Sequence, residues 1–451
     1  MRRRIKVITL GCSKNTVDTE HLLAQLPADA FTIVEGEEAC DVLMLNTCGF
    51  IGDAKEESVN AILEAVEAKK RGEAGELVVF GCLAQRYAAE LPREIPEVDA
   101  WFGARDLSPV LRHLGVQPGP AVTRRLSEAK GYAYLKISEG CDRRCSYCAI
   151  PFIRGAHRSV PMEDLVTEAE SLSARGVREL ILIAQDTTWY GLDLYHRRAL
   201  GELIGRLSAI PGIAWIRIHY SYPADFPEDV LQIMATNPKV CKYLDIPLQH
   251  ISDPVLDRMH RHVDGAWTRA LIARLRRDVP GVALRTTMIV GHPGETEKEF
   301  AELLDFVREA RFERLGAFTY SEEEGTWGAA HLKDDVPEEV KQARLDALME
   351  VQREISLEYN RSRVGTELTV MVDDIVDGTA VCRSQYESPD VDGEILVAGA
   401  AGKVAVGDFV RVRVTGAEDY DLNAVLVSSF FVYLKVLKPD RSWQTKISKA
   451  V

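Results

Sequence analysis

The 451-residue sequence lacks several features, and each absence argues against a class of protein. No apolar run approaches the roughly 18 residues that a membrane-spanning helix needs. The basic start at Arg2–Arg4 resembles that of a signal peptide, but the apolar stretch after it is short and ends at Gly11-Cys12, so we interpret it as a first strand. We therefore expect a cytoplasmic protein with no membrane partner.

The sequence also lacks an excess of basic residues and a secretory context for its cysteines. It has 55 Lys and Arg against 69 Asp and Glu, a formal net charge of −14, which argues against a protein whose affinity depends on covering phosphates. Its nine cysteines indicate ligands, catalytic groups or buried thiols rather than a disulfide framework. Three of them, Cys40, Cys241 and Cys382, fit no pattern, and we assign them no chemistry.

The order of apolar runs predicts an α/β protein with three domains. Residues 1–120 alternate short apolar runs with helical patterns, which is typical of a parallel α/β domain. After a polar linker over 121–130, residues 131–362 contain six further β/α units, which predict an open or partial (β/α)6 barrel ending in a long helix over Pro337–Arg361. Residues 365–431 predict a small all-β barrel of five strands, and 432–451 form a basic tail with no assigned function. The predicted strands are 6–10, 42–45 and 77–80, then 133–138, 179–184, 214–219, 243–248, 283–290 and 313–319, then 369–372, 379–382, 394–397, 409–414 and 424–427.

Three cysteines lie close together after the first predicted strand of the partial barrel. Cys141, Cys145 and Cys148, here the first triad, are separated by three and then by two residues. A short loop with this spacing can hold one iron–sulfur cubane, and three thiolates leave the fourth iron open. A zinc knuckle or chance clustering is the alternative, although zinc usually takes a fourth ligand from a second pair. The position at the carboxyl end of a strand favours the cluster.

Three other cysteines, Cys12, Cys48 and Cys82, each end a predicted strand of the first domain and are here the second triad. Parallel strands open their carboxyl ends on one edge of the sheet, so these thiols can converge and bind a second cluster. The alternative is three separate buried thiols, which are common in protein cores.

The first triad resembles the three-cysteine motif of the radical S-adenosylmethionine superfamily, whose partial barrel also has six β/α units. Both triads together, with a carboxyl-terminal barrel similar to a TRAM domain, resemble the methylthiotransferase family. The stretches that support this resemblance are Gly11-Cys12-Ser13-Lys14-Asn15, Asn46-Thr47-Cys48-Gly49-Phe50, Gly81-Cys82-Leu83-Ala84-Gln85, Cys148-Ala149-Ile150-Pro151, Arg154-Gly155, Tyr320-Ser321 and Glu323-Glu324-Gly325-Thr326.

The resemblance implies two 4Fe–4S clusters and S-adenosylmethionine as cofactors. The cluster at the first triad would cleave S-adenosylmethionine to a radical that removes a hydrogen from the substrate. The cluster at the second triad would present sulfur, and a second S-adenosylmethionine would supply the methyl group. No catalytic side chain is expected beyond the cluster ligands.

Three further residues are candidate contacts to S-adenosylmethionine by the same resemblance. Gln185 and Asp186 end the second strand of the barrel, at the position of the superfamily's contact to the methionine amino group, although the usual Gly-Gly-Glu is absent. Gly291 begins a Gly-His-Pro-Gly-Glu stretch after the fifth strand, where the superfamily also contacts the cofactor; a simple helix-starting turn is the alternative. His250 and His260 favour hydrogen bonding over metal ligation.

The resemblance to this family implies one of two substrates, a transfer RNA adenosine or an aspartate of a small-subunit ribosomal protein, and the charge of the third domain favours the protein. Between residues 365 and 431 there are twelve acidic and four basic residues, a net charge of −8, which repels phosphate and suits a basic loop of a small-subunit ribosomal protein. Residues Glu387–Glu394 also resemble a signature of the ribosomal-protein aspartate methylthiotransferases, the RimO family. This predicts methylthio transfer to the β-carbon of an aspartate, with an electron donor and a sulfur donor as further partners.

Two other functions remain open on the sequence. One is a transfer RNA adenosine methylthiotransferase, which the acidic barrel does not favour. The other is a non-catalytic iron–sulfur sensor or RNA-binding protein that uses the terminal barrel.

Overall fold

The computed structural model of the chain describes residues 2–36, 38–120, 122–127, 130–400 and 402–427. The predicted basic tail at 432–451 lies outside the described residues. Within the described part, no helix is both long and apolar enough to cross a bilayer. The predicted fold class is confirmed, while the exact domain boundaries stay predictions.

The first unit is a parallel sheet with helices packed on both faces. Helix α2 (Gly52–Lys70) covers alternate residues such as Leu43 and Leu45. Helices α1 (Ser13–Ala24) and α5 (Ser108–His113) cover Met44 on the other face, so the central strands are apolar along their length. The strand order is β2-β1-β3-β4-β5. Two three-residue edge strands were not predicted because so short a run shows no periodicity. The elements are β1 (Arg3–Thr9), α1 (Ser13–Ala24), β2 (Phe31–Ile33), β3 (Cys40–Thr47), α2 (Gly52–Lys70), β4 (Ala74–Gly81), α3 (Cys82–Arg86), α4 (Leu91–Glu94), β5 (Ala100–Phe102) and α5 (Ser108–His113).

The second unit is a six-stranded parallel sheet that confirms the predicted partial barrel. Its strand order, β13-β12-β11-β10-β9-β6, follows the chain, as successive β/α units require. A short antiparallel pair of strands, β7 (Ser138–Glu139) and β8 (Arg158–Ser159), and a 3-10 helix (Thr187–Trp189) flank its carboxyl edge. The elements are β6 (Tyr132–Lys136), β7 (Ser138–Glu139), α6 (Ile150–Arg154), β8 (Arg158–Ser159), α7 (Met162–Ala174), β9 (Glu179–Ile183), α8 (Leu192–Tyr195), α9 (Leu200–Ser208), β10 (Trp215–Ile218), α10 (Glu228–Thr236), β11 (Val240–Asp245), α11 (Asp253–Arg258), α12 (Gly265–Asp278), β12 (Ala283–Val290), α13 (Glu297–Ala310), β13 (Arg314–Thr319), α14 (Trp327–His331) and α15 (Glu338–Arg363).

One predicted strand of this sheet is misplaced. The strand expected over 243–248 runs instead from Val240 to Asp245. Pro247 has no backbone N–H for the ladder, so the strand ends before it. Its first residues, Val240 and Cys241, are buried despite the polar Lys242 that follows them.

The third unit is a closed barrel of five strands, as predicted. Its elements are β14 (Glu367–Val376), β15 (Thr379–Arg383), β16 (Ile395–Val397), β17 (Phe409–Ala417) and β18 (Leu422–Leu426), in the order β14-β15-β16-β18-β17. Asp377 and Gly378 join the first two strands with positive φ at both positions, as a tight hairpin turn requires.

The segment between β15 and β16, residues 384–394 and here the docking loop, joins this barrel to the central sheet. Glu387 of the loop pairs with Arg314 of β13 at 3.1 Å. Arg383, just before the loop, pairs with Glu179 of β9 at 2.8 Å. All four side chains are at least 95% buried, so these ion pairs lie inside the contact between the two units.

Candidate functional site

The first triad lies in a loop that follows β6 and β7 and is held by backbone hydrogen bonds. The N–H of Cys148 donates to the carbonyl of Cys145 at 3.1 Å. Between them, Ser146 is fixed on both sides: its N–H donates to the carbonyl of Met259 at 3.1 Å, and its carbonyl accepts from the N–H of Gly328 at 2.7 Å. The loop is therefore positioned by segments from the opposite end of the central sheet.

The buried surroundings of the first triad disfavour the thiolate form of its cysteines unless a metal binds the sulfurs. Burial raises the pKa of Cys141 to about 12 and raises that of Cys148 as well. The buried Arg261 donates a hydrogen bond from Nη1 to the Cys145 sulfur at 3.4 Å. Coordination to a metal deprotonates a thiol outright, so these residues fit an iron–sulfur cluster.

The second triad is assembled by three neighbouring strands. Strands β1, β3 and β4 lie side by side, and one cysteine follows each strand. A Cβ atom placed on Gly11 would lie 2.7 Å from Cys48 Cβ, and one placed on Gly49 would lie 2.7 Å from Leu83 Cα. The loop that carries Cys48 thus packs tightly against the loops that carry the other two cysteines.

Within the described ranges, no three His, Cys, Asp or Glu side chains are arranged to hold a metal ion together. A zinc ion gathers its ligands around one atom, whereas a cubane takes each thiolate on a different iron. The assignment of a cluster to either triad stays a prediction.

Arg154, the last residue of α6, lies between the two triads. Its Nε donates a hydrogen bond to the Cys82 sulfur at 3.2 Å, and its Nη1 is 2.6 Å from Asp18 and 3.1 Å from Glu139. The N–H of Cys141 donates to the carbonyl of the residue that follows Arg154, at 3.0 Å. One short buried segment therefore contacts both triads.

Glu139 connects this arginine to one of the candidate cofactor contacts. The Glu139 carboxylate accepts a hydrogen bond from the Gln185 amide at 2.7 Å. Burial opposes its ionised form, but Lys136 and Arg154 nevertheless hold the pKa of Glu139 at about 2. The amide oxygen of Gln185 is buried, and no described residue donates to it. Gln185 can therefore accept a hydrogen bond from a ligand.

The other two candidate contacts already have partners in the chain. Asp186 accepts from Arg143 Nε at 2.9 Å and from the N–H of Thr188 at 2.9 Å. The N–H of Gly291 donates to Glu295 at 3.0 Å. Contacts from these two residues to S-adenosylmethionine stay predictions.

The sequence alone indicates no role for several charged residues of the site. Arg154 stood in a stretch that supported the resemblance, but its contact with a cysteine depends on the packing of two domains. Isolated charged residues carry no spacing signal, so their positions became visible only in three dimensions. They are Lys14, Glu139, Arg143, Arg154 and Arg261.

Three family models match consecutive parts of the chain. They are Uncharacterized protein family UPF0004 over residues 4–103, the Radical SAM superfamily over 135–307 and the TRAM domain over 364–427. The first match spans the second triad, and the second match spans the first triad.

Curated relatives match over almost the full length. The ribosomal protein uS12 methylthiotransferase RimO of Porphyromonas gingivalis is 54% identical over 431 residues, which cover 94% of this chain and 99% of that protein. The chain belongs to the RimO family. The RimO protein of Bacteroides thetaiotaomicron is 49% identical, covering 95% of this chain and 99% of its own length. Membership in the RimO family and the radical SAM superfamily implies an iron–sulfur cluster and S-adenosylmethionine as cofactors.

A solved structure supports the fold alone. TsrM, a radical S-adenosylmethionine methyltransferase from Kitasatospora setae, is 13% identical with a TM-score of 0.54, covering 90% of this chain and 82% of that chain.

Proposed function

We propose that this chain is a radical S-adenosylmethionine methylthiotransferase that modifies the β-carbon of an aspartate in ribosomal protein uS12. The observation that carries the proposal is full-length similarity to RimO proteins, joined to two cysteine triads that flank one buried arginine. The transfer RNA and non-catalytic alternatives are not favoured, because the full-length relatives cited above are uS12 methylthiotransferases.

In this proposal the first triad holds one 4Fe–4S cluster and the second triad holds the other. When bound, such clusters supply the electron that cleaves S-adenosylmethionine and a place for the transferred sulfur. The side chains around the clusters hold them and orient the cofactor. Arg261 and Arg154 donate to cysteine sulfurs, and Gln185 offers its amide to the methionine end of the cofactor. We assign no side-chain acid or base.

The acidic surface of the third domain is smaller than its composition indicates. Several of its acids bind residues of the chain itself: Glu387 and Asp392 pair with arginines of the central sheet, and Asp373 pairs with Arg383. Exposed acids remain on the barrel, at Asp374, Asp377, Glu394, Asp408 and Glu418. This surface still disfavours phosphate, so we expect no RNA contact through the third domain.

The remaining partners follow from the chemistry. Reduction of the first cluster requires an electron donor, and repeated sulfur transfer requires a sulfur donor to reload the second cluster. We propose that both act on the chain in the cytoplasm.

The test is an anaerobic reaction of the reconstituted protein with a peptide that carries the uS12 loop, followed by mass spectrometry. We expect a methylthio adduct on aspartate and deoxyadenosine from S-adenosylmethionine. Cys82→Ala should abolish the adduct and retain deoxyadenosine, whereas Cys145→Ala should abolish both. Cys241→Ala, a buried cysteine outside both triads, is the matched control and should retain both. Modification of transfer RNA instead of the peptide would reverse the proposal.

A further inference from the structure

Lys14 is a buried cation beside the second triad. It stands two positions after Cys12, in the first turn of α1, and is 7% exposed. Its Nζ lies 3.0 Å from the centroid of the Tyr220 ring. Within the described ranges, no carboxylate oxygen lies within 4.0 Å of this nitrogen, and the nitrogen donates no hydrogen bond. The ammonium therefore rests on an aromatic face without an anionic partner.

Two other lysines of the chain that are buried or half-buried have acids as partners. Lys341 contacts Asp334 at 2.6 Å, and Lys136 contacts Glu139 at 2.7 Å. Burying an unpaired ammonium is costly, and a cation–π contact compensates only part of that cost. A protein retains such a group where function uses it, so the site calls for an anion that arrives from outside the chain.

The Lys14 ammonium lies where the second triad meets the carboxyl edge of the central sheet. Tyr220 follows β10, and its carbonyl accepts a hydrogen bond from the N–H of Thr187 at 3.1 Å, beside the strand end where the methionine contact is proposed. On the other side, Asn15 places its side-chain oxygen 3.8 Å from the Cys82 sulfur. A group bound to Lys14 would therefore lie close to the second triad and to the end of β9.

The carboxylate next to this position is already engaged. Asp245 accepts from the N–H of Tyr220 at 3.0 Å and from Arg285 at 3.2 Å. Because Asp245 already has these partners, the positive charge of Lys14 stays available to a ligand.

We infer that Lys14 binds the side-chain carboxylate of the target aspartate, an inference that rests on the function proposed above. The carbon that gains sulfur is bonded directly to the carbon of that carboxylate, so an ion pair with Lys14 holds the β-carbon beside the second triad. The same contact selects an aspartate over a neutral side chain. The carboxylate of S-adenosylmethionine offers the same chemistry; we commit to the aspartate because Lys14 belongs to the helix that begins at the second triad.

The test compares binding of two fluorescent uS12-loop peptides, with Asp or Asn at the target position, to the reconstituted chain. Anisotropy is measured with S-adenosylmethionine and without reductant, so no turnover occurs. We expect the wild type to prefer the Asp peptide by roughly tenfold to a hundredfold, the effect of a hydrogen bond to a charged group. Lys14→Met should remove that preference, and Lys14→Arg should retain most of it. Lys403→Met, which removes an exposed positive charge elsewhere, should leave the preference unchanged.

Two further readouts separate binding from a structural role. Lys14→Met should raise the thermal midpoint of the peptide-free protein, because it removes an uncompensated buried charge, and should leave the affinity for S-adenosylmethionine unchanged. A lowered midpoint with the preference intact would make Lys14 a structural residue. A loss of S-adenosylmethionine affinity would assign the ion pair to the cofactor.

The remaining outcomes distinguish this inference from the proposed function. A wild type that binds and modifies the Asp peptide but binds the Asn peptide equally well overturns the role of Lys14 alone. A wild type that neither binds nor modifies either peptide overturns the proposed function, and the role of Lys14 with it.

Discussion

Two buried histidines, His292 and His219, make the stability of the folded chain depend on pH. Burial lowers the pKa of His292 from 6.5 to about 3. Burial also lowers the pKa of His219 well below its usual value, with the cations Arg217, Arg285 and Lys14 acting in the same direction. Both side chains are therefore neutral in the folded chain at pH 7.

We predict that the folded chain loses stability as the pH falls from 7 to 5. Below pH 6.5 the unfolded chain binds a proton at His292 that the folded chain does not bind until about pH 3, which costs roughly 2 kcal/mol at pH 5. The contribution of His292 is fully present above pH 6.5 and is lost as the pH falls. His292→Gln should flatten this dependence in thermal unfolding of the cofactor-free protein at pH 7, 6 and 5. Parallel curves for the variant and the wild type would contradict the assignment.

The functional residues differ in how far the sequence could predict them. The spacing of Cys141, Cys145 and Cys148 is local, and the sequence therefore carries the full motif. Prediction of the second triad requires one more step, because it depends on the order of the parallel strands that carry Cys12, Cys48 and Cys82. No sequence pattern indicates a role for Lys14 or Arg154, because the contacts of each side chain cross a domain boundary.

At the level of elements, strands covered on both faces were easiest to predict. Strand β3 has a continuous apolar run because both of its faces are buried. The edge strands β2 and β5 have three residues each and carry no comparable pattern. The composition of the docking loop predicts an acidic surface, but Glu387 and Asp392 face inward to arginines of the central sheet.

The docking loop leads to a prediction for stability. Glu387→Gln leaves Arg314 buried without its carboxylate, and breaking a buried pair in this way costs about 3–5 kcal/mol. We expect a lowered thermal midpoint and faster proteolysis near the loop. Glu394→Gln is the matched control, because Glu394 ends the same loop and is exposed, and its effect should stay within about 0.5 kcal/mol. Equal midpoints for the two variants would show that the ion pair does not fix the barrel.

For the whole molecule, the order of domains was predictable and their packing was not. Apolar periodicity reports what each sheet buries within itself, whereas the contacts between units depend on scattered polar pairs. Arg154 with Asp18 and Glu139 joins the first unit to the second, and Arg383 with Glu179 joins the third to the second. Of these pairs, the one between Arg154 and Asp18 links the unit that carries the second triad to the unit that carries the first.

Arg154 therefore gives a prediction about communication between domains. Its N–H group donates to the Cys82 sulfur, and hydrogen bonds and positive charge at a ligating sulfur raise the reduction potential of a cluster. Arg154→Gln should lower the potential of the cluster proposed at the second triad by on the order of tens of millivolts, the equivalent of one such hydrogen bond. Arg154→Lys keeps the charge and should shift it less. Redox titration followed by electron paramagnetic resonance measures both clusters in one sample.

The cluster proposed at the first triad is the internal control for this experiment. Its nearest cationic donor is Arg261, which contacts the Cys145 sulfur from another side of the site. Arg154→Gln should leave that potential nearly unchanged, and Arg261→Gln should reverse the pattern. If Arg154→Gln shifted both potentials equally, the arginine would act by holding the two units together and not through its bond to Cys82. If neither potential moved, the hydrogen bond would have no electronic role.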